Sequence, residues 1–284
     1  MRRRMMMQGM GDLKIDPNYC TIVSYNKKVA ISFPMQLSYR IGNDEWGILP
    51  ASDEIVLQPN NYIQFKANLN SLTTSSGVGT FTITGGNCGL EGNSMSLLYG
   101  DNASAYNSIG DYKFKDLFYE CDTIVSVSED FLPATSLSRY CYCRMFAGCS
   151  GLTNAPKLPA EKLMASCYES MFSECGSLVS PPELPATTLA TKCYYSMFQY
   201  CLSMTKAPDL PATTLVSNCY SFMFYSCSSL SYIKASFTTT PGATYTSSWV
   251  QGVAQSGTFV KSKKATWTTT GNNAVPTSWT IITE

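Results

Sequence analysis

The sequence predicts a mixed α+β chain: a short solenoid of 26-residue period, capped by an N-terminal β-sandwich-like module and a small C-terminal β cap. Three observations predict it. The phrase LPATTL stands at 184–189 and again at 210–215, with near copies at 132–137 and 158–163. Met-Phe pairs at 145–146, 171–172, 197–198 and 223–224 keep the same spacing. Between residues 15 and 100 this period is absent, and short runs of alternating apolar and polar residues replace it. A strict period means that each copy buries its apolar face on its neighbours, whereas alternation means strands with one buried face. The expected divisions are a leader at 1–14, the N-terminal cap at 15–113, the repeats at 114–235 and the C-terminal cap at 236–284.

The leader, MRRRMMMQGM, is too polar and too short to pack as a domain. Arg2, Arg3, Arg4, Met5, Met6 and Met7 are the candidate anchor to an assembly partner. Methionines adapt to irregular apolar grooves, and arginines supply directed hydrogen bonds at the rim. No apolar run of secretory length follows the arginines. LPATT matches the front of a sortase signal but lacks its glycine, apolar tail and C-terminal position. As written, the chain enters no standard secretion route: a signal has been removed, or the protein leaves the cell another way. No apolar run is long enough to span a membrane.

In the N-terminal module the runs TIVSY, KVAISF, QLSYRI, EIVLQ, YIQFKA and GTFTITG, punctuated by Gly, Asn and Pro, predict six to eight antiparallel strands. EGNSMSLLYG at 91–100 leads into the first, irregular coil. In the repeats, Cys141, Cys167, Cys193 and Cys219 form one column, and Cys149, Cys175, Cys201 and Cys227 another, led by Cys121. Leu189, Cys193 and Met197 stand at i, i+4 and i+8, one face of a short helix capped by Thr187 or Thr188. A short extended piece follows, and Pro208 and Pro211 end it, since proline cannot continue a helix. Each coil is therefore expected to be a strand, a proline-pinned bend and a helical arm. After Leu230 the repeat fails. A short helix at 247–257, with Trp249, Val250 and Val253 inward, and small strands at GTFVKS, ATWTTT and SWTIIT complete the C-terminal cap.

Composition removes whole classes of chemistry. There are 20 Lys+Arg against 20 Asp+Glu and no histidine. Serine–histidine and cysteine–histidine nucleophiles, histidine acid–base work and histidine-ligated metals all fall away. Zero net charge argues against a nucleic-acid partner. No catalytic residue, cofactor or metal site is expected. Twelve cysteines without a C-x-x-C pair read as small buried hydrophobes rather than as disulfides or metal ligands, and Cys143, outside both columns, is the expected exposed thiol.

The column Tyr142, Tyr168, Tyr194 and Tyr220 is too regular to be a site and is read as core. Positions that vary between copies lie off the apolar stripe. In the last coils they become aromatic, so Tyr195, Tyr200, Phe222 and Tyr225 are the candidate ligand-contact surface. A second varying column, Lys157, Glu183 and Asp209, lines a mildly charged edge with Lys206.

The motif MF-x-x-C-x-S-L, followed by LPATTL and CY-x-x-MF, resembles the BspA-like leucine-rich repeats of surface proteins from gut Bacteroidetes and their phages. The resemblance covers about residues 114–235 and departs from the commoner form at the Met and Cys-Tyr positions. It implies a leucine-rich-repeat-like solenoid and an adhesive role, and brings no catalytic residues. The opening MRRR-MMM resembles those of phage structural proteins from the same hosts. The expectation is a non-enzymatic virion component, a head or tail fibre or decoration, binding host-surface or mucosal glycan or protein through its repeats. A homotrimer is the candidate oligomer. The alternatives are a secreted bacterial cell-surface adhesin with the same repeat and, third, an accessory module of a carbohydrate-active enzyme or a weak hydrolase.

Overall fold

The computed structural model describes residues 13–71 and 75–284. Among the described residues twelve strands form three sheets. In the N-terminal module these are β1 (Cys20–Ser24), β2 (Val29–Ser32), β3 (Leu37–Ile41), β4 (Gly47–Leu49), β5 (Glu54–Leu57), β6 (Tyr62–Lys66), β7 (Thr82–Gly85), β8 (Cys88–Glu91) and β9 (Ile124–Val127). One sheet has the order β4-β3-β6-β1-β8-β9 and the other β5-β2-β7. Inward side chains of both, such as Ile22, Ile31, Phe33, Phe65 and Ile83, enter one shared core. All pairings in these two sheets are antiparallel except β8 with β9, which is parallel. That exception is the joint of the molecule, because β9 opens a parallel stack. Thr153 N donates to Val125 O and Val179 N to Thr153 O, and parallel bridges continue through Asn154–Ser180 and Lys206–Tyr232. The stack ends in the parallel sheet β10 (Tyr232–Ala235), β11 (Thr258–Lys261) and β12 (Thr280–Thr283).

The expected mixed α+β class is overturned: the chain is mainly β. Its described α-helices are α1 (Ser96–Tyr99) and α2 (Ala243–Thr246), four residues each. The arms expected to be helical are runs of hydrogen-bonded turns. In the coil at 140–149, the amides of Cys143, Met145, Ala147 and Cys149 reach back three residues within the coil. The alternate amides of Tyr142, Arg144, Phe146 and Gly148 instead donate to Cys167, Glu169, Met171 and Ser173 of the next coil, at 2.8–3.0 Å. An α-helix satisfies every amide internally, whereas this ribbon gives half of them to its neighbour.

A left-handed residue every fourth position makes the ribbon possible. Tyr140 (φ 56), Arg144 (φ 53) and Gly148 (φ 78) are followed one coil on by Ser166, Ser170 and Glu174, then by Lys192, Ser196 and Tyr200. Each left-handed step resets the turn so that the repeat becomes four residues rather than 3.6. The stripe Cys141, Met145, Cys149 and its neighbours Tyr142 and Phe146 thereby face inward together, all at most 1% exposed.

Stacking aligns like with like. The rings of Phe146, Phe172, Phe198 and Phe224 follow one another at 5.6–5.9 Å, nearly parallel. Phe118 and Phe81 extend this column into the N-terminal module, at 5.7 and 5.3 Å. At the other end Trp249 continues the Met column in register and lies against Phe224 and Tyr220. The segment 247–257, expected as helix, holds none; it opens on a further run of turns at 247–252 that takes the hydrogen bonds of the last coil: Phe222 N donates to Ser247 O and Phe224 N to Trp249 O.

The second cysteine column has a specific bond. The thiols of Cys149, Cys175, Cys201 and Cys227 donate to the carbonyls of Phe118, Phe146, Phe172 and Phe198 of the preceding coils, at 2.9–3.1 Å. Cysteine suits this position by being small, apolar and a weak donor. All twelve cysteines are free and buried. Cys143 is among them, contrary to the expected exposed thiol: it is 6% exposed, because its turn packs it against the neighbouring coil.

Candidate binding surface

The outward corners of the turns carry the variable residues. There the structure brings Tyr195, Tyr200, Phe222 and Tyr225 into one contiguous cluster. Tyr195 meets Phe222 edge-on at 5.5 Å, Phe222 lies 6.0 Å from Tyr225, and Tyr225 meets Tyr200 edge-on at 5.7 Å. Two come from the third coil and two from the fourth, so the one-coil offset alone places them side by side. Three are half-buried and Tyr200 is 41% exposed. Lys192, not singled out in the sequence, extends the cluster, its Nζ 5.4 Å from the Tyr195 ring centre. It occupies the left-handed position one turn before Ser196, a rule legible only once the four-residue repeat is known.

Tyr200 (φ 60) and Phe222 (φ 57) both stand at left-handed positions, where bulky residues are uncommon, as Tyr112 (φ 61) and Tyr140 (φ 56) do at the other end of the stack. At the place of Tyr200 the other coils have Gly148, Glu174 and Ser226; at the place of Phe222 they have Arg144, Ser170 and Ser196. Large aromatic side chains thus occupy positions where smaller residues would be less strained.

The opposite end of the same face is built differently. The guanidinium of Arg144 lies over the Tyr119 ring at 4.9 Å and pairs with Asp116 at 2.7 Å, and Tyr112 stacks on Tyr140 at 5.0 Å. These groups satisfy one another. So does a cluster on the N-terminal module, where Arg40 and Lys66 lie over Trp46 at 4.9 and 4.2 Å, tied to Asp16 and Asp101. Nothing in the sequence marked that cluster, because its members come from distant strands.

The charged edge is also real, with one exception. Glu183, Lys206 and Asp209 line a groove of about 570 Å³ beside Val179, Pro182 and Pro211. Lys157 does not join them and pairs with Glu129 at 2.9 Å. The candidate anchor, Arg2 to Met7, lies outside the described residues. Cys143 has no place in a reactive site, since burial pushes its thiol up to about 12, with Glu169 and Asp116 adding to the shift. Among the described residues no three His, Cys, Asp or Glu side chains converge to hold a metal, and no helix is long and apolar enough to cross a membrane. Comparison with protein-family models, curated proteins and solved structures finds no match.

Proposed function

We propose that this chain is a non-enzymatic adhesion protein whose stacked coils present the Tyr195–Phe222–Tyr225–Tyr200 cluster to a cell-surface or mucosal glycan or protein. The observation that carries the reading is that four aromatics at positions varying between coils meet in one contiguous, partly exposed cluster. Tyrosine offers a rigid apolar face with a polar tip, which suits both sugar rings and protein side chains. The resemblance of the 26-residue motif to BspA-like surface repeats supports the same role. The resemblance of the opening residues to phage structural proteins supports a virion as the setting, where many copies would turn weak contacts into avidity.

The test is binding of the full chain to immobilised mucin glycans and to fixed gut Bacteroidetes cells, beside the Tyr200→Ala/Phe222→Ala double variant. Removing two central aromatic anchors is expected to weaken binding by about tenfold or more. Both substitutions lie off the core, so the thermal melt is the control for folding. Binding that survives in the double variant places the contact surface elsewhere.

A further inference from the structure

The last sheet of the stack is open on one side. Among the described residues β12 pairs with β11 alone, and every residue from Thr280 to Thr283 is exposed. The row Ile233, Phe259 and Ile281 is 0%, 0% and 39% exposed across the sheet, and Val260 and Ile282, neighbours in another row, are 3% and 45% exposed. Apolar rows that are buried on the inner strands therefore run out onto a bare one. The backbone is bare there too. Thr280 N donates to Gly257 O, Glu284 N to Lys261 O and Lys263 N to Glu284 O, so the even-numbered residues of β12 face β11. Peptide groups of alternate residues point to opposite sides of a strand, so those of Ile281 and Thr283 face the open edge. Sheet edges are commonly blunted by charge, proline, bulges or brevity. Here β4 has three residues and begins at Gly47, β5 carries Glu54, and β7 ends at Gly85 and buries its Ile83. β12, Thr-Ile-Ile-Thr, has no such protection.

We propose that β12 joins two copies of this chain, its open edge pairing antiparallel with the same edge of a second copy about a twofold axis. Two observations favour a second copy as the occupant. The first is register. Trp279 N is already given to Pro276 O, so the free peptide groups are those of Ile281 and Thr283. One antiparallel register uses them all: Ile281 of each copy stands opposite Thr283 of the other, and Ile282 faces its own mate on the axis. The edge thus accepts an uncharged strand with free peptide groups two residues apart and an apolar side chain between them, and β12 is such a strand. The second is charge. Lys263 and Lys264 are exposed at the end of the strand marked by Glu284, whereas the other end, Thr277, Ser278 and Trp279, is uncharged. Antiparallel pairing lays the lysines of each copy beside the uncharged end of the other, about 15 Å from its mate's lysines and beyond the screening length of about 8 Å at physiological salt. Parallel pairing would bring the lysines together. A twofold contact uses the same patch on both copies and closes at a dimer, in place of the homotrimer expected from sequence.

Two measurements on the full chain test this. Sedimentation over a concentration series is expected to show a monomer–dimer equilibrium. Ile282→Lys sets two cations face to face on the axis and is expected to weaken the dimer by about tenfold or more. Ile282 is 45% exposed, so that variant is expected to keep the native circular dichroism. The second measurement reads the register. All twelve native cysteines are buried, so Ile282→Cys adds an accessible thiol to a chain whose own thiols are hidden. In the proposed register its Cα lies about 4.5 Å from that of its mate, within reach of a disulfide. Under copper–phenanthroline oxidation it is expected to cross-link at least about tenfold faster than Ile48→Cys, whose site on β4 is also exposed. A monomer at every concentration, a trimer, a dimer indifferent to Ile282→Lys, or equal cross-linking of the two cysteine variants overturns the proposal.

Discussion

Cys175 shows how single residues are chosen in the coils. Its thiol donates to Phe146 O at 3.1 Å, and that carbonyl also accepts the amide of Cys149 from its own coil. A serine would add a more polar hydroxyl, an alanine would lose the donor, and a valine would crowd the turn. Burial sets the chemistry as well as the packing: it pushes the thiols of Cys121 and Cys227 up to about 12 and that of Cys219 up to about 11, from an ordinary 9.0. The sign of the resulting pH dependence follows. Above pH 9 the unfolded chain releases these protons and the folded chain keeps them, so unfolding is favoured. The stabilising contribution is full below pH 9 and is lost as pH rises from 9 toward 12. Each such thiol adds a slope of up to about 1.4 kcal/mol per pH unit. Burial raises the Tyr142 and Tyr168 hydroxyls too, in the same direction. The urea midpoint, measured under reducing conditions, is expected to be level between pH 7 and 8.5 and to fall steeply by pH 10.5. A midpoint that stays level to pH 10.5 contradicts buried, protonated thiols.

At the scale of the element, the question is why the sequence suggested helices where turns formed. Inward residues at i, i+4 and i+8 drift by only about 80° on an α-helix, so the stripe Leu189, Cys193, Met197 fits either periodicity. The discriminating signal was composition. KCYYSMFQYC has serine, cysteine and aromatics where a helix would place alanine, leucine and glutamate. Strands were easier to read, because the runs at β1, β2, β3, β5 and β6 are rich in β-branched and aromatic residues, whereas β4 and β8 contain glycine. The aromatic cluster was legible because variable positions in a repeat must face outward; Lys192 was not, because its place depends on the left-handed rule. That rule is testable at Ser170 (φ 54), half-buried on the outer face. Glycine adopts this backbone freely, so Ser170→Gly is expected to be neutral or to stabilise by up to about 1 kcal/mol. Ser170→Val is expected to destabilise by about 1–2 kcal/mol, since a β-branched residue resists positive φ. In an α-helix the order would reverse, with glycine the worse residue by about 0.5 kcal/mol. Urea melts of the two variants decide between the architectures.

At the scale of the molecule, the N-terminal module and the stack are one body because a single core runs through both. The Phe81–Phe118 pair is the crossing point. Phe81 touches Phe33 and Phe65 of the two N-terminal sheets, and Phe118 passes the contact to Phe131 and Phe146. Cys121 reinforces it by donating its thiol to Phe81 O at 3.1 Å, and β8–β9 pairing joins the backbones. No single coil buries enough apolar surface to offset its own ordering, so the stack depends on its ends. The N-terminal end is this module, and the C-terminal end is the Trp249 turn with β11 and β12. Phe118→Ala removes the bridging ring from a site that is 0% exposed and is expected to destabilise by about 3–5 kcal/mol. Because the core is continuous, that loss is expected to reach both sides. Hydrogen exchange at low denaturant is expected to show the amides of β1 and those of 194–200 losing protection by the same factor. Protection lost around β9 but kept in β1 would mean two independently stable bodies, with the phenylalanine column a contact between them rather than a shared core.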